Sequence, residues 1–278
     1  MIKVCYECGE DLSDKPNAIT CTLCDAILLL QIQGFPRQYE ALEYLHSGKQ
    51  SDTFVVKNRN SGEYLLAKFY QKSADTYNDE ESILSQLDHP AIPKIVESIK
   101  TEETVCIIRN YFKGASLDRL SYSPDEAHVV DIGIQICDIL TYLHSRTPSV
   151  IHRDIKPQNV ILGDDGIVYL IDFGISRRFS DDALKDTESI GTEGFMPPEQ
   201  YGFKQTDCRA DIYSTGVLLC WLLTGKKDPD LLVAPVNKGL TDVIKKCTAF
   251  APENRYSSAD EVKKALLEIG YDTMLPDP

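Results

Sequence analysis

The sequence lacks a long apolar run and an excess of basic residues. Its longest aliphatic run, Ala26–Leu30, is far too short to cross a bilayer. The first residues contain no apolar signal-peptide core, so we expect no secretory signal and a cytoplasmic location. Lysine and arginine number 29 against 43 acidic residues, and the net charge of -14 disfavours nucleic acids and anionic membrane surfaces as partners.

Disulfide bonds are not expected either, although the chain has nine cysteines. A cytoplasmic compartment keeps thiols reduced. Five cysteines stand singly in apolar segments and are expected to be small buried side chains: Cys106, Cys137, Cys208, Cys220 and Cys247. The length suffices for one full domain with a small appendage.

The other four cysteines form two C-x-x-C pairs, Cys5 with Cys8 and Cys21 with Cys24. Two such turns can bring four thiolates into the tetrahedral geometry that zinc prefers. Because so short a segment cannot bury a core, a metal must supply its folding free energy. We therefore expect residues 1–34 to form a zinc-ribbon-like module that holds structural Zn²⁺ and docks a partner. Two disulfides are the alternative.

Residues 35–110 contain short extended runs separated by turns, as is typical of an antiparallel sheet. The predicted strands cover residues 42–45, 54–57, 64–70 and 104–108. A helix is predicted over Thr76–Leu87, with Glu80 on the same face as Ile83 and Leu84. A carboxylate on an apolar face needs a cationic partner, because burying an unpaired charge is costly.

Helical patterns dominate residues 111–278. The segment Ser123–Glu126 combines a cap residue, a proline and acidic residues, and therefore predicts a helix start at which Ser123 is the cap. The run Ile212–Leu223 is apolar nearly all round and predicts a buried helix that ends at Gly225. The predicted fold class is α+β, with a small antiparallel β lobe followed by a large helical lobe.

Two motifs in the second half carry the strongest functional indication. The segment His152–Asn159 reads HRDIKPQN, and Asp172–Gly174 reads DFG directly after a predicted strand. They resemble the catalytic loop and the metal-binding motif of eukaryotic-type (Hanks-type) serine/threonine protein kinases. The sequence of Pro197–Tyr201 is most similar to that of bacterial members. The resemblance runs from about Tyr39 to Ile269 and implies a two-lobed protein-kinase fold.

The resemblance also implies an activity and its catalytic residues. The expected reaction transfers the γ-phosphoryl group of ATP to serine or threonine hydroxyls of protein substrates. Asp154 would accept or orient the proton of the substrate hydroxyl, and Lys156 would contact the γ-phosphate. Asn159 and Asp172 would hold two Mg²⁺ (or Mn²⁺) ions on ATP, because phosphoryl transfer depends on positioning and charge neutralisation.

The resemblance assigns nucleotide-binding residues to the small lobe and the segment after it. Lys68 matches the strand lysine that holds the α- and β-phosphates, and Glu80 matches its partner on the helix. Asn110 and Phe112 fall in the hinge that contacts the nucleotide base.

The sequence departs from the family pattern around the nucleotide. The glycine-rich phosphate loop falls on His46–Ser51, where Gly48 is the one glycine retained and Lys49 is a candidate to substitute by charge. Leu66 stands at a position that is usually alanine, and Arg109 stands at an apolar gatekeeper position. The reduced phosphate loop favours the alternative function, a catalytically weak pseudokinase that acts as a scaffold tethered to the zinc module. Activity is favoured by the retention of the family's catalytic and nucleotide-binding residues: Lys68, Glu80, Asp154, Asn159 and Asp172.

The segment Gly191–Glu199 resembles the end of a kinase activation segment. Peptide substrates dock on such a segment, so it argues against a small-molecule kinase. Glu199 is expected to pair with Arg255, and Asp211 to accept hydrogen bonds from the catalytic-loop backbone.

Arg153, which precedes Asp154, indicates control by phosphorylation of the activation segment, because a phosphate there would pair with this arginine. The candidate sites are Thr187 and Ser189, and autophosphorylation is the expected route.

Overall fold

The structure is a computed structural model that describes residues 36–47, 51–71, 76–101, 104–179, 192–201, 206–232 and 236–270. These residues form strands and helices of an α+β fold. They divide into two compact units, of which the first contains the described residues up to Gln86 together with Pro93–Tyr111. The second contains Leu87–Ile92 and the described residues from Phe112 onward. The predicted boundary between residues 34 and 35 lies outside the described part.

The first unit contains a five-stranded antiparallel sheet in the order β1-β2-β3-β5-β4. Its strands are β1 (Tyr39–Ser47), β2 (Ser51–Asn58), β3 (Tyr64–Gln71), β4 (Ile95–Lys100) and β5 (Thr104–Asn110). A tight turn joins β2 to β3, and Gly62 in this turn has a φ of +76°. The sequence does not predict β4, and its pairing with β5 is interrupted by a register shift between Ile95 and Glu97.

The two edge strands of this sheet are joined by their side chains. The hydroxyl of Tyr39 on β1 donates a hydrogen bond of 2.7 Å to the carboxylate of Glu97 on β4. Burial, reinforced by this bond, raises the pKa of Tyr39 to about 12, so the phenol remains a donor. A contact between opposite edges requires a strongly coiled sheet. One face of the sheet contributes a continuous apolar cluster: Tyr39, Ala41, Val56, Leu65, Ala67, Phe69, Cys106 and Ile108.

The opposite face of β3 and β5 carries two cationic residues, Lys68 and Arg109. Lys68 is paired with Ile107 across the two strands, and Leu66 with Arg109, so the two cations lie diagonally on one face. Helix α1 (Thr76–Leu84) contributes Glu80 to the same cluster. It ends three residues before the predicted Leu87, in a turn at residues 85–86.

The second unit is mainly helical. Its helices are α2 (Glu126–His144), α3 (Arg209–Thr224), α4 (Lys238–Cys247) and α5 (Ala259–Leu267). Its short strands are β6 (Gly114–Ser116), β7 (Val150–Ile151), β8 (Val160–Gly163), β9 (Val168–Leu170) and β10 (Arg177–Arg178). The strands pair as β6-β8-β9 and as β10-β7.

The cap of α2 corrects the prediction from sequence. Asp125 is the N-cap, because its carboxylate accepts a hydrogen bond of 2.9 Å from the backbone N–H of His128. Ser123 lies two residues before this cap and cannot reach the free N–H groups of the first turn.

Helix α3 is buried nearly all round, as predicted, and ends at Gly225 with a φ of +70°. It lies close to α4, which the sequence does not predict because Gly239 in its first turn weakens the helical signal. A Cβ added at Gly216 of α3 would lie 2.6 Å from the Cβ of Cys247 on α4. The close approach of these two helices therefore depends on glycine at this position.

Candidate active site

In the first unit, Glu80 of α1 is the centre of a buried polar cluster. The ion pair that the sequence predicts is present, since Nζ of Lys68 lies 2.9 Å from Oε2 of Glu80. A second cation contacts the other oxygen, with Nη1 of Arg109 at 2.8 Å from Oε1. The three residues expose 8%, 0% and 4% of their surface for Lys68, Glu80 and Arg109, so the pairs are shielded from water.

A phenol completes this cluster. The hydroxyl of Tyr70, two residues beyond Lys68 on β3, donates a hydrogen bond to Oε2 of Glu80. Burial, together with the negative charge of Glu80, raises the pKa of Tyr70, so the phenol stays protonated. Glu80 is thus held by three donors from two neighbouring strands.

The two predicted hinge residues are held by different neighbours. Asn110 ends β5 in the first unit, and its Oδ1 accepts a hydrogen bond of 2.6 Å from the N–H of Lys94. Phe112 begins the second unit and stacks on Tyr169 of β9, with ring centroids 4.1 Å apart. The hydroxyl of Tyr169 in turn donates to Asp165 at 2.7 Å, which fixes the ring under Phe112.

In the second unit, Asp154 is the centre of a network built on the loop after β7. Its Oδ1 accepts a hydrogen bond of 2.7 Å from the hydroxyl of Thr192. Its Oδ2 lies 2.7 Å from Nζ of Lys156 and accepts a 2.8 Å bond from Nδ2 of Asn159. Lys156 closes a triangle by donating to Oγ1 of Thr192 at 2.8 Å. The carboxylate is buried and fixed in orientation, with a hydroxyl and an ammonium at its two oxygens.

Asn159 and Asp172 provide oxygen atoms that suit a hard divalent cation. Nδ2 of Asn159 also donates to the backbone carbonyl of Asp154 at 2.9 Å, so Oδ1 is the amide atom available to a cation. Asp172 follows β9 and has a φ of +66°, a left-handed conformation that is costly for a residue with a Cβ. Carboxylate and amide oxygens are the ligands that Mg²⁺ prefers, so these residues fit the predicted role.

Asp211 at the start of α3 fixes the backbone of the loop that carries Asp154. Its carboxylate accepts the backbone N–H of His152 at 2.9 Å and that of Arg153 at 2.8 Å, as predicted. The ring of His144 at the end of α2 bonds to the same carboxylate at 2.9 Å. Burial would raise the pKa of Asp211, but the bond and charge of His144 and the backbone N–H of Arg153 outweigh it and lower this pKa.

These bonds hold a strained backbone in place. Arg153 has a φ of +68°, and its carbonyl accepts a hydrogen bond of 2.8 Å from Nε2 of the fully buried Gln200. The predicted Glu199–Arg255 pair is also present and bidentate, with distances of 2.6 and 2.9 Å. The loop that carries Asp154 is therefore anchored to α3 and to the segment at 199–200.

Several predicted residues lie outside the described part of the structure. They are Cys5, Cys8, Cys21, Cys24, Gly48, Lys49, Thr187, Ser189 and Gly191. Within the described ranges, no group of three or more His, Cys, Asp or Glu side chains is arranged to hold a metal ion. Among the helices in these ranges, none has the length and apolar character that a membrane span requires.

The structure adds residues that sequence reasoning missed. The contact of Thr192 with Asp154 was not predicted, although Thr192 lies in the recognised activation-segment motif. Nothing in the sequence indicates that Tyr70 contacts Glu80, because aromatic residues are common on strands. The sequence marks Arg109 as unusual at an apolar gatekeeper position but does not pair it with Glu80, although the two-residue alternation of β5 places it on the face that carries Lys68.

Comparison with known proteins identifies one family. The model of the protein kinase domain matches residues 39–230, a span that contains the whole network around Asp154 and the Lys68–Glu80 pair.

The similar curated proteins are named as serine/threonine kinases. Serine/threonine-protein kinase D of Synechocystis is 29% identical over 283 residues, covering 86% of this chain and 54% of the relative. Serine/threonine-protein kinase B of the same organism is 30% identical over 297 residues, covering 98% of this chain and 50% of the relative. A probable serine/threonine-protein kinase of Clostridium perfringens is 25% identical, covering 84% and 38%. The chain thus spans about half or less of the length of these relatives.

Proposed function

The chain belongs to the protein kinase domain family, and on that premise we propose that it is a serine/threonine protein kinase. It transfers the γ-phosphoryl group of ATP to hydroxyl groups of protein substrates and phosphorylates its own activation segment. The names of the relatives support the Ser/Thr class. The observation that carries the proposal is the network in which Thr192, Lys156 and Asn159 hold the carboxylate of Asp154.

Each member of this network has a task in the proposed reaction. Asp154 orients the substrate hydroxyl and accepts its proton, and Thr192 fixes the carboxylate for that role. Lys156 brings a positive charge next to the acceptor, where it can stabilise the transferring phosphoryl group. Asn159 and Asp172 would hold Mg²⁺, which neutralises charge on the phosphates when bound.

The first unit supplies the nucleotide-binding side chains of the proposal. Lys68 binds the α- and β-phosphates while Glu80 fixes its position, and the 2.9 Å pair between them supports this assignment. Asn110 and Phe112 place the hinge backbone beside the nucleotide base. Gly48 belongs to the phosphate loop by its place in the sequence.

The N-terminal segment is proposed to be a separate module. Cys5, Cys8, Cys21 and Cys24 would bind one structural Zn²⁺ through four thiolates, which leaves no open position for catalysis. The support is their spacing in the sequence. Docking of a partner is the role proposed for this module. A cytoplasmic location is part of the proposal. Of the five described cysteines, four are buried as expected, whereas Cys208 is only partly buried.

The experiment that tests the activity is autophosphorylation with radiolabelled ATP and Mg²⁺, comparing the native chain with Asp172→Ala. The expected result is incorporation that Asp172→Ala abolishes and that maps to Thr187 or Ser189. If neither protein incorporates label and neither binds ATP, the kinase proposal is wrong, and the scaffold function that the reduced phosphate loop favours takes its place. Incorporation at other positions would refute the proposed phosphorylation sites and leave the activity standing.

A further inference from the structure

Arg109 is a second buried cation on the carboxylate of Glu80. Nη1 of Arg109 lies 2.8 Å from Oε1, whereas Nζ of Lys68 lies 2.9 Å from Oε2. The side chain of Arg109 is 4% exposed, so water screens its charge very little. An interaction between buried charges is several times stronger than the same interaction at a surface.

The position of Arg109 is firmly fixed by its strand. β5 pairs with β3 on one side and with β4 on the other, and Arg109 lies diagonally from Lys68 on the same face. Two like charges placed this way repel each other unless an anion lies between them. Glu80 is that anion, and each cation takes one of its oxygens.

This sharing has two consequences. The carboxylate of Glu80 keeps a cationic partner even where Lys68 is absent, because Oε1 has its own donor. In addition, a carboxylate that is partly neutralised by Arg109 attracts the ammonium of Lys68 less strongly. The ammonium therefore retains more attraction for a further anion than it would in a pair with Glu80 alone.

We propose that Arg109 is a positioning residue that holds Glu80 independently of Lys68 and strengthens the binding of nucleotide phosphates by Lys68. The inference rests on the proposed use of ATP. It gives the unusual arginine a role in a chain whose phosphate-loop sequence, His46–Ser51, retains a single glycine. A buried charge replaces part of the attraction that backbone amides of a glycine-rich loop provide.

The test compares the binding of Mg·ATP and of adenosine by titration calorimetry. Arg109→Gln removes the charge but keeps a donor for Oε1, and Arg109→Lys keeps the charge. The expected result is that the preference for ATP over adenosine falls about tenfold in Arg109→Gln and is retained in Arg109→Lys. A structural role alone would weaken both ligands equally and leave this ratio unchanged.

Lys100→Met is the matched control. Lys100 of β4 pairs with Glu81 of α1 at 2.8 Å, but its side chain is 51% exposed. It therefore joins the same sheet to the same helix at the surface, and its loss should leave the ratio unchanged. An equal fall in Lys100→Met and Arg109→Gln would overturn the inference, as would an equal fall in Arg109→Lys and Arg109→Gln.

A second measurement does not depend on the folding of Arg109→Gln. In Lys68→Met combined with Tyr70→Phe, the backbone amides of α1 (Thr76–Leu84) should keep their protection against hydrogen exchange, because Arg109 still holds Oε1 of Glu80 when the two donors to Oε2 are gone. Loss of protection in this helix would overturn the holding role.

The two proposals fail in different ways: a native chain that prefers ATP, with full preference kept in Arg109→Gln, refutes the inference alone. A native chain that binds ATP no better than adenosine refutes the proposed use of ATP and the inference with it.

Discussion

The hydroxyl of Thr192 donates a hydrogen bond of 2.7 Å to Oδ1 of Asp154, across 38 residues of sequence. This bond joins the activation-segment motif to the proposed catalytic carboxylate. The same hydroxyl accepts a bond from Lys156 at 2.8 Å, so it orients both charged groups at once. A side chain that contributes no charge of its own therefore orients both of the proposed catalytic groups, Asp154 and Lys156.

Replacement of Thr192 by valine should lower kcat by about ten- to a hundredfold, because a hydrogen bond to a charged group contributes about 1.5–3 kcal/mol. Thr192→Ser keeps the hydroxyl and should retain most of the activity. The measurement is steady-state phosphorylation of a peptide, with KM for ATP determined in parallel. Loss of activity in Thr192→Ser together with full activity in Thr192→Val would show that the methyl group, and not the hydroxyl, is what matters.

Asp154→Asn should retain ATP binding and lose about 10²–10⁴-fold in phosphoryl transfer, as expected for removal of a general base. Calorimetry of ATP binding and a single-turnover transfer assay separate the two effects. Full transfer activity in this variant would exclude Asp154 as the residue that accepts or orients the proton.

Asp211→Asn should destabilise the chain near neutral pH by about 2 kcal/mol, because the buried negative charge is lost and the single amide oxygen can accept only one of the two backbone N–H groups. The pKa of Asp211 is lowered below its ordinary 3.8, so its contribution is complete above that value and is lost as the pH falls below it. The stability difference between native and variant should therefore narrow under acid conditions. Urea unfolding at neutral and acid pH measures it, and a constant difference would contradict the assignment.

Gly216→Ala should lower the free energy of unfolding by about 1–3 kcal/mol, since the added Cβ would lie 2.6 Å from the Cβ of Cys247. Gly133→Ala in α2 is the matched control. There the added Cβ would meet side-chain methyl groups of Leu266 at 3.0 Å and of Leu219 at 3.2 Å, so a shift of a few tenths of an ångström would relieve the contact. The helix propensity of alanine offsets part of that cost. Urea unfolding of both variants should rank them in this order, and equal stabilities would show that α3 and α4 can separate at little cost.

The purified chain should contain about one zinc ion, and Cys8→Ser should lose it. Metal analysis with a chelator titration measures this. Cys208→Ser, a change at one of the singly placed cysteines, should leave the zinc content unchanged. A metal-free native chain with oxidised pairs would favour the disulfide alternative.

Local sequence rules predicted much of the second unit because its elements carry their own signals. The apolar run before Gly225 predicted α3 and its end, and a strand was predicted directly before the DFG motif, where β9 precedes Asp172. The short strand β7 before the HRD motif was not predicted. The cap of α2 was misassigned because serine, aspartate and glutamate stand close together in Ser123–Glu126, and local sequence does not decide which of them is the cap.

Long-range contacts account for what the sequence could not predict. Arg109 and Glu80 are 29 residues apart, and their pairing depends on how α1 packs against the face of β5 that carries Arg109. Likewise, Thr192 reaches Asp154 only through the packing of the second unit. Motif matching assigns roles to residues one at a time, whereas these roles arise from three-dimensional neighbours.

The strand order of the first unit bears on how the chain emerges from the ribosome. β5 is the last strand of the sheet to be synthesised, yet it lies between β3 and β4. Until residue 110 leaves the exit tunnel, β3 has an unpaired edge and Tyr39 lacks its docked partner Glu97, 58 residues later in the chain. Nascent chains are exposed to strand-to-strand aggregation at this stage. A pause in translation shortly before β5 would lengthen that interval, whereas one shortly after it would let the sheet close first.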